Sequence, residues 1–328
     1  MEKESIKMND GLDGLFEFVD HNSFESEKIT APRYSYWRSV GRVFFRRKSN
    51  WVFLGILILI LLMSFVWPLI QPYSLNDPNN TNLLLLETHN NTPYQYLLSH
   101  PFEIKWILGT TSNGDSLWNK LWTASRTSLS LAFICTIINM TIGIILGAIW
   151  GLSKKFDVFM MQVFNIIGNV PYILFISILS YVIGAGFWSF VLALTITGWL
   201  GTAYFIRTQV IIIRDREYNL ASKTLGTNIF TIAFRNILPF MISVIVTLIA
   251  TELPSYISYE VFLSYIGIGL TANDVSIGQM INNASTNWML KPWEFWPPVV
   301  TSAIVSIVFL CSSNNSGVTS DSSKRRVR

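Results

Sequence analysis

Six stretches of mostly apolar residues recur along this chain, at roughly 51–71, 128–150, 158–183, 187–206, 240–262 and 294–310. About 20 apolar residues in a helix cross the hydrocarbon core of a bilayer. The pattern predicts an all-α integral membrane protein with six transmembrane helices. Composition points the same way: only 13% of the 328 residues are charged, and mean hydropathy is +0.41. A soluble domain carries about 25% charge, so this chain has too little polar surface to cover itself. Two runs are interrupted, the third by Gly168 and Pro171, the fifth by Glu252, Pro254 and Glu260. The first begins near Trp51, too deep and too long for a cleaved leader, and is read as an uncleaved span.

Lysine and arginine placement sets the expected orientation. With the N-terminus inside, 20 of the 24 basic residues lie on cytosolic pieces; Lys105, Lys120, Arg126 and Lys291 remain outside. Both termini are therefore expected in the cytosol. The division that follows is a cytosolic tail at 1–50, a first span at 51–71 and an extracellular loop at 72–127. A five-helix core at 128–310 contains a cytosolic loop at 207–239, and a polar tail occupies 311–328. Residues 1–30 hold eight acids against three lysines, whereas 31–50 hold six bases and no acid. Trp37, Val40 and Phe44 among those bases suit a helix lying in the membrane interface. Leu12, Leu15, Phe16 and Val19 admit either a short amphipathic helix or a disordered tail.

Several chemistries find no support. A net charge of +4 is too small and too scattered for nucleic acid. Cys135 and Cys311 sit in or beside apolar runs and form no CxxC pair; His21, His89 and His100 have no second ligand at metal spacing. No metal, cofactor or catalytic constellation is expected, and the chain is read as no enzyme. "GTTSNGDS" at 109–116 imitates a phosphate-binding loop, but Asp115 stands where its lysine belongs. Energy from ATP has to arrive through a partner.

Glu252 and Glu260 fall in or beside a span, where carboxylates are costly and face protein or a water-filled path. Eight residues apart, they lie about 80° apart around a helix, so both are candidates to face inward. With Pro254 between them, expected to kink or break the helix, they are candidate pathway-lining residues. A structural role fits as well; a proton relay wants more buried charge than this chain shows.

The cytosolic loop contains "EYNLASKTLGTNIFTIAFRNILP" at 217–239. Asp215 is a candidate cap, and Glu217 in the first turn suits the helix dipole. Tyr218, Ala221, Ser222 and Leu225 recur at helical spacing and make one modestly apolar face. Gly226 suits a left-handed stop. A helix this short is not stable alone, so its face wants a cover: lipid, the rest of the chain or another protein.

That loop resembles the cytosolic loop of ABC-importer permeases, whose pattern is Glu-Ala-Ala, three residues, Gly, then Ile-Leu-Pro. Gly226 and Ile237-Leu238-Pro239 match; Leu220 and Ser222 depart. "LGTTSNGDSLWNKLWTASRTSL" is similar to the peptide-permease branch through Leu108, Gly109, Thr110, Gly114, Arg126, Ser128 and Leu129. "YEVFLSYIGIGL" is similar to another motif of that branch through Glu260, Leu263, Ser264, Gly267 and Gly269. In order over residues 35–310, these resemble the C-type permease subunit of oligopeptide importers of the Ami/Opp kind. The resemblance implies a plasma-membrane subunit working with a second permease, two cytosolic ATPases, an extracellular peptide-binding lipoprotein and a peptide substrate. It also implies that Glu217, Tyr218, Ala221, Ser222, Leu225 and Gly226 form an ATPase-coupling helix over 216–226. A dipeptide or nickel importer is the narrower alternative; a stand-alone secondary transporter or channel is the rival class. The tail "CSSNNSGVTSDSSKRRVR" departs from the family's ending and suggests a shifted reading frame, which resequencing of the 3′ end tests.

Overall fold

The computed structural model describes residues 48–73, 92–94, 104–111, 114–271 and 274–325. The expected N-terminal tail, the interfacial helix around Trp37 and most of the 72–107 loop lie outside the described residues. Five helices are long and apolar enough to cross a membrane, and a bent pair adds a sixth span. The first span runs Lys48–Ile70 and begins with helix α1 (Lys48–Phe65). Helix α2 (Leu117–Leu152) begins at Leu117 rather than near 128, because Ser116 caps it by accepting from the Asn119 N–H at 3.3 Å. Helices α3 (Lys154–Gly168) and α4 (Tyr172–Ile183) form the bent pair, turning by 79° at the Gly168/Pro171 break. Helix α5 is Phe187–Arg214, and α6 is Glu217–Thr224.

A single turn, a π-helical stretch and a 3-10 turn lead from Ile229 into α7 (Ile242–Tyr265), making one span over Ile229–Tyr265. Of the expected kink or break at Pro254, the break is absent: α7 continues through it. Thr251, Ser255 and Ser258 hydroxyls around it bond back to carbonyls of the same helix at 3.3, 3.1 and 3.0 Å. Local bonds of this kind are how membrane helices accommodate proline. A short α8 (Ile277–Ser285) precedes α9 (Pro292–Arg325). The apolar run that fades near Leu310 thus lies in a helix that continues well beyond it.

Helices α2 and α5 make the most extensive pair, with α7 packed on α2, on α9 and on α8. Lipid is as apolar as leucine, so burial alone does not drive helices together in a bilayer; close packing and hydrogen bonds do. Gly143, Gly147 and Gly151 place a bare stripe of α2 against α5. A β-carbon on Gly143 would come within 2.6 Å of the Thr202 side chain, and one on Gly147 within 2.5 Å of the Ala203 carbonyl oxygen. Around this seam Leu129, Leu131, Cys135, Ile176, Phe190, Leu194, Ile257 and Leu263 form the buried core. Outward-facing Leu59, Phe159, Ile178, Val182 and Ile212 are exposed and offer apolar surface to lipid or to another subunit.

Candidate functional site

Helix α6 hangs between the ends of α5 and the π-helical stretch. Its N-cap is Arg216, with no side-chain bond to the first turn. Asp215 is instead the C-cap of α5, paired with Arg214 at 3.4 Å, which corrects the capping assignment. The stop has the expected form: Gly226 has φ +78°, its N–H donates to Lys223 O, and the Thr227 N–H donates to Ser222 O. This crossed pair is a Schellman closure, and the left-handed φ suits glycine.

One residue roots the helix, and sequence reasoning missed it. Asn219 is buried, and its Nδ2 donates to Ile213 O at the end of α5, at 3.0 Å. Ser222 Oγ accepts from Asn236 Nδ2 at 3.2 Å, tying α6 to the stretch before α7. Among the described residues nothing covers the expected apolar face. Tyr218 is 43% exposed and Leu225 85%, Ala221 is exposed, and Ile229, Phe230 and Phe234 continue the uncovered surface. Beside it, Asp157 at the start of α3 receives Arg207 of α5 through two bonds, of 2.6 and 2.9 Å, and Trp150 Nε1 at 2.7 Å. Bidentate pairing of this type is geometrically specific, so it locks α3 to α5 next to the loop.

The intramembrane candidates separate. Glu260 is fully buried and does not line the cavity that Glu252 meets: Ser128 Oγ and Ser264 Oγ donate to its two oxygens at 2.7 and 3.0 Å. Ser128 Oγ also accepts from the Ile277 N–H at 3.1 Å, so the carboxylate stitches α2 and α7 to the start of α8. A β-carbon on Gly278 would meet Ser264 Cβ at 2.6 Å, so α8 lies as close as a glycine permits. Pro254 is buried as well. Glu252, by contrast, lines a cavity of about 340 Å³ beside the α3/α4 break, with Pro171, Tyr172, Gly198, Tyr256 and Tyr259. Its wall is braced by hydrogen bonds: Asn139 Nδ2 donates to Tyr256 Oη at 2.7 Å, and Tyr172 Oη donates to Leu194 O at 2.7 Å.

On the opposite end, the described residues of 109–116 make a turn held by its own bonds. Gly109 and Gly114 take positive φ, Thr110 bridges to Ser116, and Tyr73 Oη donates to Asp115 Oδ2 at 3.1 Å. Burial, reinforced by the neighbouring Asp115 carboxylate, pushes the Tyr73 phenol above its ordinary range. Trp67 Nε1 donates to Asn119 Oδ1 at 2.9 Å, fastening the first span to the head of α2.

Five apolar spans with a bent pair as a sixth, a cavity at that bend and a short apolar-faced helix between spans are the build of a helical membrane subunit. Residues 140–317 match the family model described as binding-protein-dependent transport system inner membrane component, and 35–93 match the N-terminal TM domain of oligopeptide transport permease C. The chain belongs to the family of binding-protein-dependent transport system inner membrane components. It is therefore a multi-pass membrane permease. It is 42% identical to the oligopeptide transport system permease protein AmiD of Streptococcus pneumoniae, over 93% of this chain and 96% of that one. It is 32% identical to the oligopeptide transport system permease protein OppC of Bacillus subtilis, over 87% and 88%. It is 29% identical to the dipeptide transport system permease protein DppC of the same organism, over 89% and 87%.

Proposed function

We propose that this chain is one of two permease subunits in an ATP-driven importer of oligopeptides, resident in the plasma membrane with both termini in the cytosol. Its partners are a second related permease, two cytosolic ATP-binding subunits and an extracellular peptide-binding lipoprotein. The observation that carries the reading is the uncovered face of α6, with Tyr218 and Leu225 open and Asn219 rooting it to α5. A two-turn helix rigidly joined to two spans is a lever: what grips its free face moves the spans. Closure of an ATPase pair on Glu217, Tyr218, Ala221, Ser222 and Leu225 would rock α5 and α7 between outward and inward openings, a two-state rigid-body change.

The direct test is extraction of the tagged subunit in mild detergent, with Ala221→Trp and Gly226→Asp alongside. The wild-type subunit brings down an ATPase and supports peptide uptake; the variants remain in the membrane but lose uptake. Wild-type uptake in both variants would falsify the docking role. The likeness to DppC favours one second reading, dipeptide import, and competition of labelled pentapeptide uptake by unlabelled dipeptides separates the two.

A further inference from the structure

The Glu252 cavity has a composition that its place in a wall does not require. Its lining includes one carboxylate, three phenols (Tyr172, Tyr256 and Tyr259) and the rings of Phe164 and Phe175, and no Lys, Arg or His. Among the described residues no ion pair involves Glu252. The aromatic rings are fixed: Tyr172 and Tyr259 meet edge to face at 5.1 Å between centroids, and Tyr256 and Tyr259 at 6.2 Å. A β-carbon on Gly198 would stand 2.9 Å from Tyr172 Oη, so the glycine leaves that phenol its place in the wall. A carboxylate at membrane depth with no cation of its own wants one from elsewhere. Aromatic rings and a carboxylate around one small space are the groups that can hold an organic ammonium ion.

We infer that Glu252, framed by Tyr172, Tyr256 and Tyr259, is a way-station for the ammonium group of a passing substrate, chiefly the free amino terminus of a peptide. This rests on the peptide-import reading and deepens it. The site lies beside the α3/α4 break, whose Gly168, Val170 and Pro171 help line it.

The test uses the whole importer in cells or proteoliposomes, with two labelled peptides of identical sequence, one with a free amino terminus and one N-acetylated. Each uptake rate is expressed as a ratio of variant to wild type, which cancels any preference of the binding protein. Glu252→Gln lowers uptake of the free peptide about tenfold and of the acetylated peptide less than twofold; Glu252→Asp keeps most of the rate for both. Should wild type refuse the acetylated form, the free peptide alone is used: loss in Glu252→Gln with the rate kept in Glu252→Asp supports the site, and equal loss in both variants overturns it. Unchanged uptake of the ammonium-bearing peptide in Glu252→Gln overturns the inference. Equal loss for both members of the pair overturns it too, and assigns Glu252 to packing or to a cation of the second permease. If the wild-type complex imports neither peptide, the peptide reading itself fails, and that is seen before any variant is compared.

Discussion

Gly147 stands directly against the Ala203 backbone, where the second and fourth spans meet. Replacing it with alanine drives a methyl group against the Ala203 backbone, which cannot rotate away as a side chain does. Overpacking of this kind costs roughly 1–3 kcal/mol. Gly147→Ala is expected to lower the thermal transition of the purified subunit in detergent, whereas Gly55→Ala, with nothing within 4 Å, leaves it unchanged. Glu260 makes a second case. Glu260→Gln keeps an acceptor for Ser128 or Ser264, while Glu260→Ala strands both hydroxyls in the core, a loss of roughly 1–3 kcal/mol for a buried unsatisfied group. Size-exclusion profiles after heating check the order: wild type and Gln above Ala. That Glu260 is a clasp and Glu252 a cavity residue was not legible from spacing alone. Two residues some 80° apart on one helix meet different neighbours, and only the placement of α2 and α8 tells which.

At the scale of elements, α6 was the part most plainly written in the chain. Its length, its stop at Gly226 and the periodicity of Tyr218, Ala221, Ser222 and Leu225 come from local rules of helix termination and spacing. Its anchor was not, because Asn219 looks like any polar surface residue until the end of α5 is brought beneath it. Asn219→Ala removes the bond to Ile213 O and loosens the lever without touching its outer face. The expected result is ATP hydrolysis by the reconstituted complex near the wild-type rate with peptide uptake reduced severalfold; parallel loss or retention of both would argue against a lever. The break between α3 and α4 was foreshadowed by Gly168 and Pro171, whereas α7 runs through Pro254 unbroken. Proline withdraws one N–H from a helix, and neighbouring hydroxyls and packing decide whether the helix yields.

Across the whole molecule the charge distribution makes a topological prediction. Lys155 and Met289 are both exposed and lie at opposite ends of the bundle in the expected orientation. Single cysteines at these positions, in a background lacking Cys135 and Cys311, are expected to react differently with a membrane-impermeant maleimide on intact cells: position 289 labels, position 155 only after permeabilisation. Reversal of that pattern would invert the assigned sidedness of α6. What the chain alone determined is what depends on neighbours in sequence: that it enters lipid, about where it crosses, and that a short helix stops at Gly226. Hydropathy, charge placement and glycine dihedrals act over one span or one turn. The tertiary structure alone decided which carboxylate is sealed and which meets a cavity, and that Gly143, Gly147 and Gly151 are a seam. It alone roots α6 through Asn219. Those properties arise from contacts between residues tens to more than a hundred positions apart, and no local period encodes such a meeting.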